Sequence, residues 1–167
     1  MKILVSDPSS VSRDVRHGSA VVVRDPVVIK TGYNKDFGFG FYCTELREQA
    51  IRWAVRFTGV GYLSHFRYSA DPSLKVKKFD VMTDEWLDFI VASRRGISHE
   101  YDIVEGPMAN DTIYNYVQDF IDGKISRAAF WELAKFKYPT HQISFHTPRA
   151  LATLNFNREY TVTDDGL

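Results

Sequence analysis

The chain has 167 residues, 44% of them apolar and 25% charged, which suits one soluble domain with a single core of ordinary size. Lysines and arginines balance the acids at a formal net charge of zero, so no basic surplus argues for duplex nucleic acid or an anionic membrane. The lone cysteine, Cys43, leaves no internal disulfide and fits a reducing cytoplasm; no apolar run reaches the roughly 18 residues of a membrane helix, and no signal-peptide pattern is seen.

In chain order, the apolar run Met1 to Val5 meets an Asp7-Pro8-Ser9-Ser10 turn. A strand is expected to end at His17-Gly18-Ser19, before the β-branched run Ala20 to Val23. Asp25-Pro26 and the apolar Val27-Val28-Ile29 lead to a loop at Thr31-Gly32-Tyr33-Asn34-Lys35. Phe37, Phe39 and Phe41 then alternate with Gly38 and Gly40, which reads as a strand or extended loop with one apolar face. Glycines in such a pattern mark a bulge, or a backbone that something else approaches closely. Leu46, Ala50, Trp53, Ala54 and Phe57 share one helical face, so a helix is predicted from Glu45 to Phe57, with Thr44 as its N-cap. Tyr42 stands at the joint of these two elements, a place that would present its side chain to a ligand.

Gly59 to Gly61 reads as the stop of that helix. Tyr62 to Tyr68 and Leu74 to Phe79 read as strands around an Asp71-Pro72-Ser73 turn. Thr83 caps a helix to about Arg94, with Trp86, Phe89, Ile90 and Ser93 on one face. Tyr101 to Val104 is a short strand, closed by Glu105-Gly106-Pro107. Asn110 or Asp111 caps a helix to Ile121, ended by Asp122-Gly123; Ser126 caps another to about Phe136, stopped by Tyr138-Pro139. Gln142 to His146 is a strand, Pro148 opens a short helix to about Leu154, and Phe156 to Val162 is the last strand. The Asp164-Asp165-Gly166 tail reads as frayed. Strands and helices mix without regular βαβ alternation. The expectation is therefore one α+β domain over residues 1–167, its core over about 15–162, with a mixed, mostly antiparallel sheet and flanking helices.

The chain has no Walker glycine loop, no GxSxG elbow, no HExxH and no CxxC. His141 and His146 flank a strand at a spacing that sends them to opposite faces, so no metal site is expected. What remains is His17-Gly18-Ser19 at a strand end, Gly40-Phe41-Tyr42-Cys43-Thr44 leading into a helix, and the strand that begins at Gln142.

In that order these pieces resemble the ADP-ribosyltransferase superfamily, on its poly-ADP-ribose-polymerase or diphtheria-toxin side. The longer set Asp36-Phe37-Gly38-x-Gly40-Phe41-Tyr42-x-Thr44, Gln49-Ala50-x-x-Trp53-Ala54, Trp86-Leu87-Asp88-Phe89-Ile90, Asp102-Ile103-Val104-x-Gly106-Pro107-x-Ala109-Asn110-Asp111 and Gln142-Ile143-x-Phe145-His146-Thr147 looks like one bacterial branch of it. That branch has long been of unknown function, and its members are often encoded beside a small protein in the manner of a toxin and its antitoxin. The resemblance runs from roughly His17 to Phe156.

The resemblance implies NAD as co-substrate and a catalytic set of His17, Tyr42 and Gln142. His17 would reach a ribose hydroxyl, the Gly18 backbone would pair with the nicotinamide amide beside Ser19, and Tyr42 would stack on the cationic nicotinamide ring. It extends the NAD-binding set to Asp36, Phe37, Gly38, Gly40, Phe41, Thr44, Asn110 and Asp111. From the residues alone, the phenylalanines read more readily as core than as ligand contacts, and Asn110 and Asp111 equally as helix caps. Two departures stand out. Gln142 occupies the position where most such transferases have Glu, and a neutral amide can hold a ribose hydroxyl but cannot act as a base. Asp36, Glu105 and Asp111 are the candidate substitute acids, and Arg16 replaces the apolar neighbour usual before the His. The expected function is a mono-ADP-ribosyltransferase of the cytoplasm, acting on a protein or nucleic-acid acceptor and restrained by a small antitoxin. The alternative is a module of the same fold that binds NAD without transferring anything.

Overall fold

The computed structural model describes residues 12–31, 35–135 and 140–166. In order run β1 (Ser12–Ser19), β2 (Phe41–Cys43), α1 (Arg47–Val55), β3 (Val60–Ser69), β4 (Val76–Lys78), α2 (Asp84–Arg94), β5 (Ile103–Gly106), α3 (Asp111–Ile121), α4 (Arg127–Ala134), β6 (Gln142–Phe145), α5 (Pro148–Leu151) and β7 (Leu154–Thr163). A 3-10 turn, Asp164–Gly166, follows. The Met1–Val5 run, the Asp7–Ser10 turn, the centre of the Thr31–Lys35 loop, Phe136 and the Tyr138-Pro139 stop lie outside the described residues.

The strands form two sheets, ordered β1-β3-β7 and β2-β6-β5-β4. Every pairing is antiparallel except β4 with β5, which is parallel. The fold is thus a single α+β domain with mostly antiparallel sheet, as the element pattern predicts. The sheets are stitched together where the Arg16 and Thr44 backbones exchange hydrogen bonds of 2.8 and 2.9 Å.

Strand alternation sorts the side chains into layers. Val15, Phe41, Cys43, Phe66, Tyr68, Ile103, Ile143 and Phe145 fill the space between the sheets. On the far side of the second sheet, Tyr42 and Val104 pack with Trp86, Leu87 and Ile90 of α2, Ile113 and Val117 of α3, and Phe130 of α4. On the far side of the first, Ala50, Ile51, Ala54 and Val55 of α1 cover Leu63 and Val162. β7 serves both faces of its sheet because Asn157 is an extra residue against the His65/Phe66 step of β3. That bulge turns Leu154 and Phe156 inward and Val162 outward.

Several expectations need correction. The helix begins at Arg47 behind Leu46, without a side-chain cap. Thr44 cannot cap it, because its backbone is committed to Arg16; its hydroxyl accepts from Leu46 N at 3.1 Å instead. The buried face of α1 is rotated from the predicted one: Leu46 and Phe57 are 39% and 83% exposed, while Gln49, Ala50, Ile51, Ala54 and Val55 are buried. A Cβ on Gly18 would stand 1.9 Å from Ala50 O, and one on Gly61 would stand 2.1 Å from Ala54 O. Two glycines opposite two alanines therefore let the helix lie directly on the strands, and that contact sets its rotation.

The phenylalanine–glycine segment is strand only at Phe41–Cys43; residues 36–40 form a turn, in which Gly38 has φ 86°. The strand sought over Leu74–Phe79 shrinks to β4, because at its start Leu74 N is taken by the Asp71 turn at 3.1 Å, while beyond its end Phe79 N still donates to Glu105 O at 2.8 Å. β5 runs through Glu105 and Gly106, and Pro107 ends it, since proline cannot donate to a ladder. The Pro148 helix stops at Leu151, where Leu154 is taken up by β7. The tail is not frayed: Asp164 N donates to Gly59 O at 3.1 Å. The caps at Thr83, Asn110 and Ser126 form as predicted.

Candidate functional site

His17 lies on the face of β1 that carries Val15, and its ring stacks on Phe41 with centroids 4.3 Å apart. Its Nδ1 is 2.7 Å from the Tyr42 carbonyl. A carbonyl only accepts, so Nδ1 carries the proton and Nε2 keeps a free lone pair. Burial lowers the pKa of His17, against that carbonyl bond and with help from the Lys35 charge. The ring is therefore a neutral, oriented hydrogen-bond acceptor at pH 7, suited to a hydroxyl.

Tyr42 leaves the opposite face of β2 and reaches back to the turn before it. Its hydroxyl accepts from Phe37 N at 3.1 Å and donates to Gly38 O at 2.6 Å. The carbonyls on either side are held as well: His99 Nε2 donates to Phe37 O at 2.8 Å, and His146 Nδ1 to Phe39 O at 2.7 Å. The tautomers follow from the other ring nitrogens, since His99 Nδ1 accepts from Tyr101 N and His146 Nε2 takes the Ser144 hydroxyl. Three successive carbonyls of the turn are thus fixed by three side chains.

The glycines of the turn have structural reasons of their own. Gly38 supplies the positive φ, and a Cβ on Gly40 would lie 2.8 Å from His146 Nδ1. Tyr42 is only 8% exposed, with its phenol pKa raised by burial, so it offers a ligand far less surface than its position in the sequence suggests. The Lys35 ammonium sits over its ring, 4.9 Å from the centroid. Lys35 is an exposed residue, yet its ammonium gives up enough hydration there for its pKa to fall.

Gln142 opens β6 on the Tyr42 side of the sheet, for Tyr42 is opposite Ser144 and the two positions are diagonal neighbours. It is 3% exposed, and its amide nitrogen is 3.3 Å from Asp36 Oδ2 and 3.4 Å from Pro107 O. Asp36 is committed elsewhere: Oδ1 pairs with Arg94 at 2.8 Å and Oδ2 accepts from Ala109 N at 2.9 Å. Glu105 points to the other face, where Arg13 and His141 hold it at 2.5 and 2.9 Å and bring its pKa down to about 2 against the cost of burial. Neither acid is free to serve as a base, and the Asp111 side chain lies outside the described residues.

The remaining predicted binding residues separate. Phe37 is fully buried and Phe41 nearly so, which makes both core and takes Phe37 out of reach of a ligand. Asn110 caps α3 by accepting from Ile113 N at 3.3 Å. Gly18 is explained by α1, Thr44 by the bridge to Arg16, and the Ser19 hydroxyl donates to Val21 O. His17, Tyr42 and Gln142 are linked only indirectly: His17 bonds the Tyr42 backbone carbonyl from the Phe41 face, while on the other face Tyr42 bonds the turn at Gly38 and Gln142 bonds Asp36, which opens that turn. Sequence reasoning missed Lys35, His99 and the grouping of Arg13 and His141 around the buried Glu105; no local spacing announces any of them. Among the described residues no three metal-type side chains gather.

A family model described as DUF3990, a protein of unknown function, matches residues 14–156. The chain belongs to that family. The match spans both sheets from β1 into β7 and includes His17, Tyr42 and Gln142, while its description carries no activity. Among curated proteins, none matches the chain. No helix of the described residues is long and apolar enough to cross a membrane.

Proposed function

We propose that this DUF3990 protein is an NAD-dependent mono-ADP-ribosyltransferase. The observation that carries the reading is the 2.7 Å bond from His17 Nδ1 to the Tyr42 carbonyl, which leaves Nε2 as a fixed neutral acceptor beside a pinned turn. Such an acceptor suits a ribose hydroxyl of NAD, and holding the ribose there lowers the barrier by orientation. The bond from C1′ to the nicotinamide nitrogen breaks, nicotinamide leaves with the electron pair, and an oxocarbenium-like centre develops, as in glycoside cleavage. The acceptor then bonds to C1′ and gives up its proton. Tyr42 would meet the cationic ring once Lys35 moves off its face. The ordered resemblance adds a cytoplasmic toxin role, with a macromolecular acceptor and a small antitoxin as partner.

The test is incubation of the purified chain with labelled NAD and a cell lysate, then separation of protein, nucleic acid and small molecules. Label in a macromolecular fraction that is lost in His17→Ala supports a transferase and names the acceptor class. Free nicotinamide without transferred label means hydrolysis instead.

One observation favours a second reading, a module that binds NAD without cleaving it. Gln142 is an amide, and Asp36 and Glu105 are both committed to cationic partners. Gln142→Glu separates the two readings: NAD cleavage that appears in the variant alone means that only the acid was missing. Asp36 beside the new carboxyl would raise its pKa, so that gain should grow with pH.

A further inference from the structure

The first sheet carries an uncompensated basic rung on its outer face. Arg16 of β1 is opposite His65 of β3, and His65 is opposite Arg158 of β7. Directly opposed residues share a face, so Arg16 and Arg158 stand on either side of His65. The face is the one that holds Gly18, Gly61 and Leu63 under α1. Two residues along β3, Arg67 adds a third guanidinium, opposite Asp14.

His65 is 8% exposed, and neither of its ring nitrogens has a hydrogen-bond partner among the described residues. Asp14 Oδ1 is 3.3 Å from Nε2 but outside hydrogen-bond geometry, and it is shared with Arg67 Nη2 at 3.5 Å. The other acids nearby are spent, Glu159 on Arg24 and Glu45 on Arg13. Among the described residues Arg16 reaches only a neutral backbone oxygen, that of Glu45, at 2.9 Å. Three guanidiniums therefore share this face with one half-exposed carboxylate, which only Arg67 of the three reaches. Arg67 also donates to the Ser12 hydroxyl and Arg158 lies over the Tyr160 ring, beside a buried imidazole with no partner among the described residues. Native structures rarely leave such a ring unpartnered: ordered water, an ion or a ligand supplies the bond.

We propose that Arg16, His65, Arg67 and Arg158 form a binding site for a phosphate group. Guanidinium forks match phosphate oxygens, and a neutral imidazole donates one further hydrogen bond from the floor of the site. Asp14 fills part of it as a built-in competitor. The site is distinct from the one proposed for NAD, because successive strand residues point to opposite faces and His17 faces the other way from Arg16. Inorganic phosphate, a nucleotide and a nucleic-acid backbone all present this chemistry.

The test follows the histidine ring resonances of the full chain during titration at low salt with inorganic phosphate, ADP or a short single-stranded oligonucleotide. His65→Gln assigns the diagnostic signal. A saturable His65 shift is expected with phosphate, weakened about tenfold in Arg158→Gln and strengthened severalfold in Asp14→Asn. Both substitutions fall on exposed side chains, so the fold should persist. Tighter, steeply salt-dependent binding of the oligonucleotide identifies a nucleic-acid backbone as the source, and equal affinities identify a lone phosphate group. No shift at His65, a shift at His17 alone, or a His65 shift indifferent to Arg158→Gln would overturn the proposal.

Discussion

Tyr42→Phe removes one oxygen and keeps the ring, so it isolates the pinning of the 36–40 turn from any stacking. The lost hydroxyl accepts from Phe37 N and donates to Gly38 O. The lost bond to Gly38 O is worth about 1 kcal/mol, and leaving the buried Phe37 N–H without a partner costs about 1–3 kcal/mol in addition. Phe37 is fully buried, so water cannot readily replace the lost acceptor. The expected destabilisation is therefore about 2–4 kcal/mol, against almost nothing for the same change at an exposed tyrosine. Urea unfolding should show a lower midpoint at an unchanged slope, and amide exchange at Phe37 should accelerate. If the midpoint moves by the equivalent of less than about 0.5 kcal/mol, the turn is held by His99 and His146 alone and the reasoning fails.

Three further outcomes follow from the same geometry. Gly18→Ala drives a methyl into the Ala50 backbone, which cannot yield as a side chain could, and should cost about 3 kcal/mol by urea titration; a loss below about 1 kcal/mol would show that α1 does not seat on β1 as described. His146 has a folded pKa near 4, lowered from 6.5 mainly by burial, and His17 is lowered too. The unfolded chain then binds more protons, so stability is full above about pH 6.5 and falls by up to roughly 3 kcal/mol as pH drops towards 4. Urea midpoints across that range check this, and a flat profile, or one unchanged in His146→Asn, would contradict it. Lys35→Gln uncovers the Tyr42 ring and removes a charge that depresses His17; NAD affinity measured by calorimetry should rise severalfold, while a fall would mean that Lys35 helps to hold the dinucleotide.

Local chemistry was legible in the sequence. Thr83, Asn110 and Ser126 each begin a helix because the cap and the amide that it satisfies lie within three residues, and Pro148 opens one at its first position. The strand positions of His17, Tyr42 and Gln142 were legible for the same reason, from short apolar runs bounded by breakers. What was not legible depends on partners far away in the chain. The rotation of α1 is set by Gly18 and Gly61, and periodicity within residues 45–57 contains no trace of either. Gly40 looked like room for a ligand, whereas His146, more than a hundred positions on, fills that room. Glu105 looked like a spare acid until Arg13 and His141 came to it from other strands.

The decisive measurement is calorimetric titration of NAD into the intact chain and into His17→Ala, with unfolding curves to show that both are folded. A saturable heat in the wild type that disappears in the folded variant is the predicted result, since the Nε2 acceptor is gone. No heat at about millimolar NAD, or equal heats in both proteins, would contradict an NAD site built on His17.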